Sequence, residues 1–174
     1  VKMLVANGAR LDISEITVGS NAVTLASDYG HADIVEFLLD NGGDPNSHGN
    51  NNFSALMMAS LHGHLEVVKL LLDRGANIDA VDDINGATAL MRAFATNSHS
   101  VSTELVSRGA NSDIVNKHGK SAIDIVTEKL LELESEETTA EDQETTIPAS
   151  QRSSESDALR QELNVHMNNG KAAF

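Results

Sequence analysis

The chain of 174 residues has no cysteine and no tryptophan, only two prolines, and few aromatic side chains, four Phe and one Tyr. The missing cysteine excludes disulfide frameworks, thiolate zinc sites and cysteine nucleophiles together. Basic residues are scarce as well: 12 Lys and Arg stand against 26 Asp and Glu, a net charge of −14. That deficit argues against a nucleic-acid binder, whose affinity comes largely from Lys and Arg neutralising phosphates. No run of about 18 apolar residues occurs, so no segment reads as membrane-spanning. No basic-then-apolar leader is seen, and Val1 falls in what reads as the end of a helix. The chain is therefore expected to be a fragment of a longer one.

What the sequence does contain is a period. Glycine recurs at Gly8, Gly42, Gly75 and Gly109, at spacings of 34, 33 and 34. The pair Gly30-His31 returns 33 residues later as Gly63-His64. A polar-Ala-aliphatic triplet appears at Asn21-Ala22-Val23, Ser54-Ala55-Leu56, Thr88-Ala89-Leu90 and Ser121-Ala122-Ile123. Self-similarity at one fixed period is the mark of a repeat architecture.

Each marker has a mechanical meaning. Asn21, Ser54, Thr88 and Ser121 are residue types that cap helix N-termini through a side-chain oxygen, and each precedes Ala, the best helix former. The first helices are short, because Gly30 and Gly63 arrive about nine residues later. A second helix runs through residues 65–72, with Val68, Leu71 and Leu72 on one face. The equivalent faces are Val1, Leu4 and Val5, then Val35, Leu38 and Leu39, then Leu105 and Val106. Gly8, Gly42, Gly75 and Gly109 close these helices at the left-handed position. About a dozen polar residues separate each second helix from the next cap and read as a turn or hairpin finger. Such short helices bury their apolar stripes only by stacking on neighbours, which predicts an all-α solenoid.

Residues 54–79, SALMMASLHGHLEVVKLLLDRGANID, resemble an ankyrin repeat from end to end, and the resemblance covers 1–133. It implies a half-repeat (1–13), repeats at about 14–46, 47–80 and 81–113, and a terminal cap (114–133). Departures are visible. The family usually has Pro after its Thr cap, where all four copies here have Ala. Its favoured His in the first helix is replaced by Thr24, Met57, Met91 and Asp124. The fourth copy exchanges Gly-His for Asn97-Ser98 and carries Ser102 where its neighbours have Val35 and Val68, so it is expected to be the least stable. The unit after Gly119 has no turn glycine and is expected to form one longer helix over 121–133.

Imitations of chemistry are few. Gly119-Lys120-Ser121 ends like a phosphate-binding loop, but Ile114 stands where the partner glycine belongs. His62 and His64 lack the companions of a metal site, and His64 belongs to the turn motif. Asp79, Asp82 and Asp83 read as a solvated finger rather than an acid/base pair. Asn52-Phe53-Ser54 fits a glycosylation sequon but sits on a finger and helix cap of an intracellular type of repeat. Fingers of this family resemble substrates of asparaginyl hydroxylases; Leu38, Asp44 and Asn46 fit that spacing, with Pro45 where an aliphatic residue is usual. No catalytic set, cofactor or metal is expected.

Function is then recognition. The resemblance implies a concave face built from finger tips and first helices. Position by position it names Ser20 and Tyr29, then Asn50, Asn51, Phe53, Met58, Leu61 and His62. Ile84, Asn85, Arg92 and Thr96 follow in the next repeat, and Lys117, His118 and Lys120 in the last unit. Tyr29, Phe53, Met58 and Leu61 read as anchors, since interface energy concentrates in such side chains. Met58 and Leu61 read equally as contacts between repeats, and Phe53 as finger cover. The expectation is a monomeric, noncatalytic scaffold module that binds another protein, cytoplasmic or nuclear, without nucleic-acid binding or membrane insertion. Two alternatives stand beside it: a targeting arm of an enzyme whose catalytic domain lies elsewhere, and a regulatory domain whose acidic tail folds back on Lys117 and Lys120.

That tail begins near Thr127. Residues 128–144 hold eight acids against Lys129 alone. The stretch 134–156 is expected to be a disordered linker, too polar to offset its ordering entropy. Thr138 and Thr139, each with an acid three residues on, are candidates for phosphorylation. Residues 157–168 read as a short amphipathic helix, with Leu159, Leu163 and Met167 on one stripe.

Overall fold

Polar caps followed by Ala set where each helix starts. In the computed structural model the helices in chain order are α1 (Ala22–Asp28), α2 (Ala32–Asp40), α3 (Ala55–Leu61), α4 (Leu65–Asp73), α5 (Ala89–Ala95), α6 (His99–Ser107) and α7 (Ala122–Ala140). The structure describes residues 21–140 and residues 157, 158, 160 and 161, with side chains of α7 described as far as Glu132. The half-repeat at 1–13, Ser20, most of the linker and most of the 157–168 helix lie outside the described residues. No strand occurs among the described residues, only one antiparallel bridge between His48 and Ser54. The caps act as expected: Asn21 accepts from the Thr24 N–H, Ser54 from Met57 and Thr88 from Met91, at 3.0, 3.2 and 3.3 Å.

The turn between paired helices needs a left-handed residue. Gly30 has φ 71°, and the ring of His64 from the next repeat stands where its side chain would begin. A Cβ there would lie 2.6 Å from His64 Nδ1. That ring is held because His64 Nε2 donates to the Asp28 carbonyl at 2.9 Å. The turn histidine is thus a strut between repeats. Gly30→Ala is expected to destabilise the stack by about 1–2 kcal/mol from the left-handed backbone alone, with the clash added; an unchanged urea midpoint would contradict this geometry. In the fourth copy Asn97 takes the glycine's place at φ 57°, a conformation asparagine tolerates better than other side-chain-bearing residues.

Helices α1, α3, α5 and α7 form an inner layer, each packed on the next, and α2, α4 and α6 form an outer layer against them. One continuous core runs between the layers, including Val35, Leu38, Leu56, Val68, Leu71, Leu90, Phe94 and Leu105. Outer helices end at glycines with positive φ, Gly42, Gly75 and Gly109. Ser102 is buried in α6 and satisfied, its hydroxyl donating to the His99 carbonyl at 3.0 Å. Surface pairs repeat along the outer edge: Arg74 with Asp40, and Arg108 with Asp73, both at 2.7 Å.

The last unit differs from expectation in length. Helix α7 continues to Ala140, seven residues past the expected boundary at 133 and into the stretch read as a disordered linker. Two features account for it. Glu, Leu and Lys, which dominate residues 128–137, are strong helix formers despite their charge. The start of the helix is also anchored: Val126 and Leu130 are buried, and the Lys129 ammonium donates to the Phe94 and Ala95 carbonyls at the C-terminal end of α5, a favourable place for a cation. At the N-terminus, Ser121 and Asp124 cap each other reciprocally, a capping box. Those hydrogen bonds from the Ser121 N–H and hydroxyl hold the Asp124 carboxyl below its ordinary range. Thr138 and Thr139 therefore fall on the α7 backbone rather than in a linker; their side chains are not among those described.

Candidate concave binding face

The inner helices present equivalent positions in register. Leu25, Met58 and Arg92 occupy one row of α1, α3 and α5, and Tyr29, His62 and Thr96 follow at the helix ends. Of the expected anchors, Tyr29 is the most open at 66% exposure, and Ile84 on a finger is 54% exposed. Asn50, Asn51, His62, Thr96 and His118 are exposed, whereas Met58, Leu61, Asn85 and Arg92 are half-buried. Leu25, at 46% exposure, belongs to this face and is absent from the sequence-derived set. Its sequence signal is its register with Met58 and Arg92.

Phe53 is half-buried and packs against the core. The Arg92 guanidinium carbon sits 4.6 Å from its ring centroid, a cation–π arrangement. Arg92 in turn donates to Asp82 Oδ2 at 2.7 Å. Asp82 is only 1% exposed, which corrects its reading as part of a solvated finger. Its carboxylate accepts from the backbone N–H of Ile84, Asn85 and Ala87 at 2.9, 2.7 and 3.2 Å. Burial alone would push this carboxyl up. The Asn85 N–H, the Arg92 hydrogen bond and charge, and the Ala87 N–H outweigh it and hold the pKa below the ordinary aspartate value. Phe53, Arg92 and Asp82 therefore form one unit joining two repeats, and the finger tip carrying Ile84 is shaped by it.

The fingers are also stitched backbone to backbone. Asp83 N–H donates to the Asn51 carbonyl at 2.8 Å, and Lys117 N–H to the Asn85 carbonyl at 2.7 Å. Asn51 takes the left-handed conformation at φ 57°, consistent with the asparagine preference for such turns. Exposed Asn46 accepts the Asn77 N–H at 2.7 Å, and Asp79 accepts the Asn111 N–H in the same way one repeat later, at 2.8 Å. His62 Nε2 lies 3.0 Å from Asp28 Oδ1, tying α3 to α1. Of Lys117 and Lys120, the expected receivers of the acidic tail, Lys117 sets its ammonium on the Asp83 carbonyl of the preceding finger, and Lys120 pairs with Glu128 at the start of that tail.

Stacked helix pairs with fingers and a ribbed inner face define a helical repeat protein of the recognition class, a surface built by adding similar units in one direction. Residues 1–82 match a family model described as ankyrin repeats in three copies. That stretch is therefore similar to ankyrin repeats, and the helix pairs that follow it continue the same pattern. Ankyrin repeats are generally protein-interaction modules and typically noncatalytic. No curated protein matches the chain. Among the described residues no helix is long and apolar enough to cross a membrane.

Proposed function

We propose that this chain is a noncatalytic, monomeric binding module that holds another protein on the concave face. The observation that carries the proposal is the row of side chains left open on inner helices and finger: Leu25 and Tyr29 on α1, half-open Met58 and Leu61 on α3, and Ile84. Aromatic and aliphatic side chains ringed by polar neighbours are the pattern of an interface hot spot; here the ring is Asn50, Asn51, His62, Asn85, Thr96 and His118. A protein partner is favoured over nucleic acid, because every described Lys and Arg already has an acceptor within the chain. An intracellular setting, cytoplasmic or nuclear, belongs to the same reading. Asn46 is its modification site, supported by its exposed place on a finger; mass spectrometry showing only unmodified Asn46 in native material would remove that part.

The test is affinity capture read by mass spectrometry. Tyr29→Ala combined with Ile84→Ser is expected to lose specific partners, at a cost of at least about 1 kcal/mol in affinity, without lowering the melting temperature. An outer-face control, Glu66→Ala with Lys69→Ala, is expected to retain them. Partners that survive the concave substitutions would place binding elsewhere. Phe53→Ala is a poorer probe, because its ring supports Arg92 and the core; it is expected to weaken both capture and stability.

A further inference from the structure

An outer helix inside the stack has two flanks, one against the preceding repeat and one against the next. Helix α4 lies between α2 and α6 in this way. Among the described residues helix α6 is the last full outer helix, because the unit that follows contributes α7 to the inner layer, packed on α5. The far flank of α6 presents His99, Thr103 and Val106, the positions that Leu65, Lys69 and Leu72 hold in α4. A cavity of about 220 Å³ lies there, with those side chains, Phe94 and Ser102 on one wall. The opposite wall is made by Ala158 and Gln161.

Asp157, Ala158, Arg160 and Gln161 are helical. Ala158 and Gln161 are three apart and so share a helix face. Asp157 and Arg160, also three apart, pair with each other at 3.4 Å and are exposed, while Ala158 is half-buried and Gln161 lines the cavity at its exposed rim. A half-buried small residue towards α6 and an ion pair in solvent is the polarity of an outer helix. The groove chemistry agrees, since Ser102 and Thr103 stand where α4 has Val68 and Lys69, a mixed wall that suits Ala and Gln. The 16 residues between Ala140 and Asp157 are ample to reach, at up to about 3.3–3.6 Å per residue.

We propose that the segment 157–161 of this chain docks on the far flank of α6 as a surrogate outer helix, in the place that the second helix of a further repeat would take. The occupant of the groove is the chain's own C-terminal segment. It closes the outer layer where a further repeat would otherwise stack, and it makes the order of α6 depend on residues some fifty positions away. The docking surface belongs to the outer layer, so it leaves the concave face open.

The absence of native cysteine permits a direct test in the full chain. Thr103→Cys with Ala158→Cys, treated with a short bis-maleimide, is expected to give an intramolecular cross-link that migrates as monomer. Glu36→Cys on α2 with Ala158→Cys is expected to give none. No cross-link, equal cross-linking in the control, or a covalent dimer would each overturn the proposal, the dimer by assigning the flank to a second copy. A second variant, Ala158→Glu, keeps a good helix former but places a charge against the groove. Amide exchange in α6 is expected to rise about tenfold with α1–α4 unchanged; unchanged exchange in α6 would overturn the proposal as well.

Discussion

Asp82→Ala is expected to cost about 3–5 kcal/mol, the scale of breaking a buried ion pair from one side. The substitution removes the acceptor for the N–H groups of Ile84, Asn85 and Ala87 and for the Arg92 guanidinium. Three backbone donors would then lose their acceptor, and the partly buried cation would keep only the face of Phe53. Arg92 Nε is already buried without an acceptor, so the guanidinium depends heavily on this carboxylate. Urea unfolding should show the loss as a lower midpoint, and a change below about 1 kcal/mol would show that the carboxylate is not holding the finger. Asp82→Asn keeps an acceptor oxygen but loses the charge, and should fall between wild type and alanine.

The same residue predicts a pH dependence. Its folded pKa lies below the ordinary aspartate value of 3.8. The stability it contributes is therefore complete above that value and is lost as pH falls through the lower folded pKa. The stability difference between wild type and Asp82→Asn should be constant near neutrality and shrink below about pH 4. A difference that instead grew on acidification would contradict the depressed pKa.

Leu71→Ala is the second large effect expected, at about 2–5 kcal/mol for a buried leucine replaced by a cavity. Leu71 is wholly buried in α4, at the middle of the described stack. Each repeat contacts only its neighbours, so the damage should appear first as faster amide exchange in α3 and α4 and then in the units on either side. Leu72, one residue on, is half-buried, and Leu72→Ala should cost clearly less. An unshifted melting curve for Leu71→Ala would contradict the repeat register itself.

Helix starts, turn glycines and the apolar stripe were legible because each depends on groups three or four residues apart. Ser54 reaches the Met57 N–H whatever the rest of the chain does. Asn97 was legible as an oddity, and its left-handed backbone gives the reason it can replace glycine. Less of the candidate site was legible. Tyr29, Ile84 and His62 could be placed by register, but Phe53 could not be assigned between anchor and support. That choice rests on Arg92, which comes from the next repeat.

By itself the sequence determined the period, the helix pairs, their caps and the all-α stacking, since these follow from local spacing and from apolar faces that demand neighbours. Tertiary structure decided what contacts between units decide. Asp82 looks like any acidic finger residue until Arg92 and three N–H groups converge on it. The acidic end of α7 reads as linker until Leu130 and Lys129 anchor the helix on α5. The flank of α6 looks like that of an ordinary outer helix until Ala158 and Gln161, some fifty residues on, are found to line the cavity beside it.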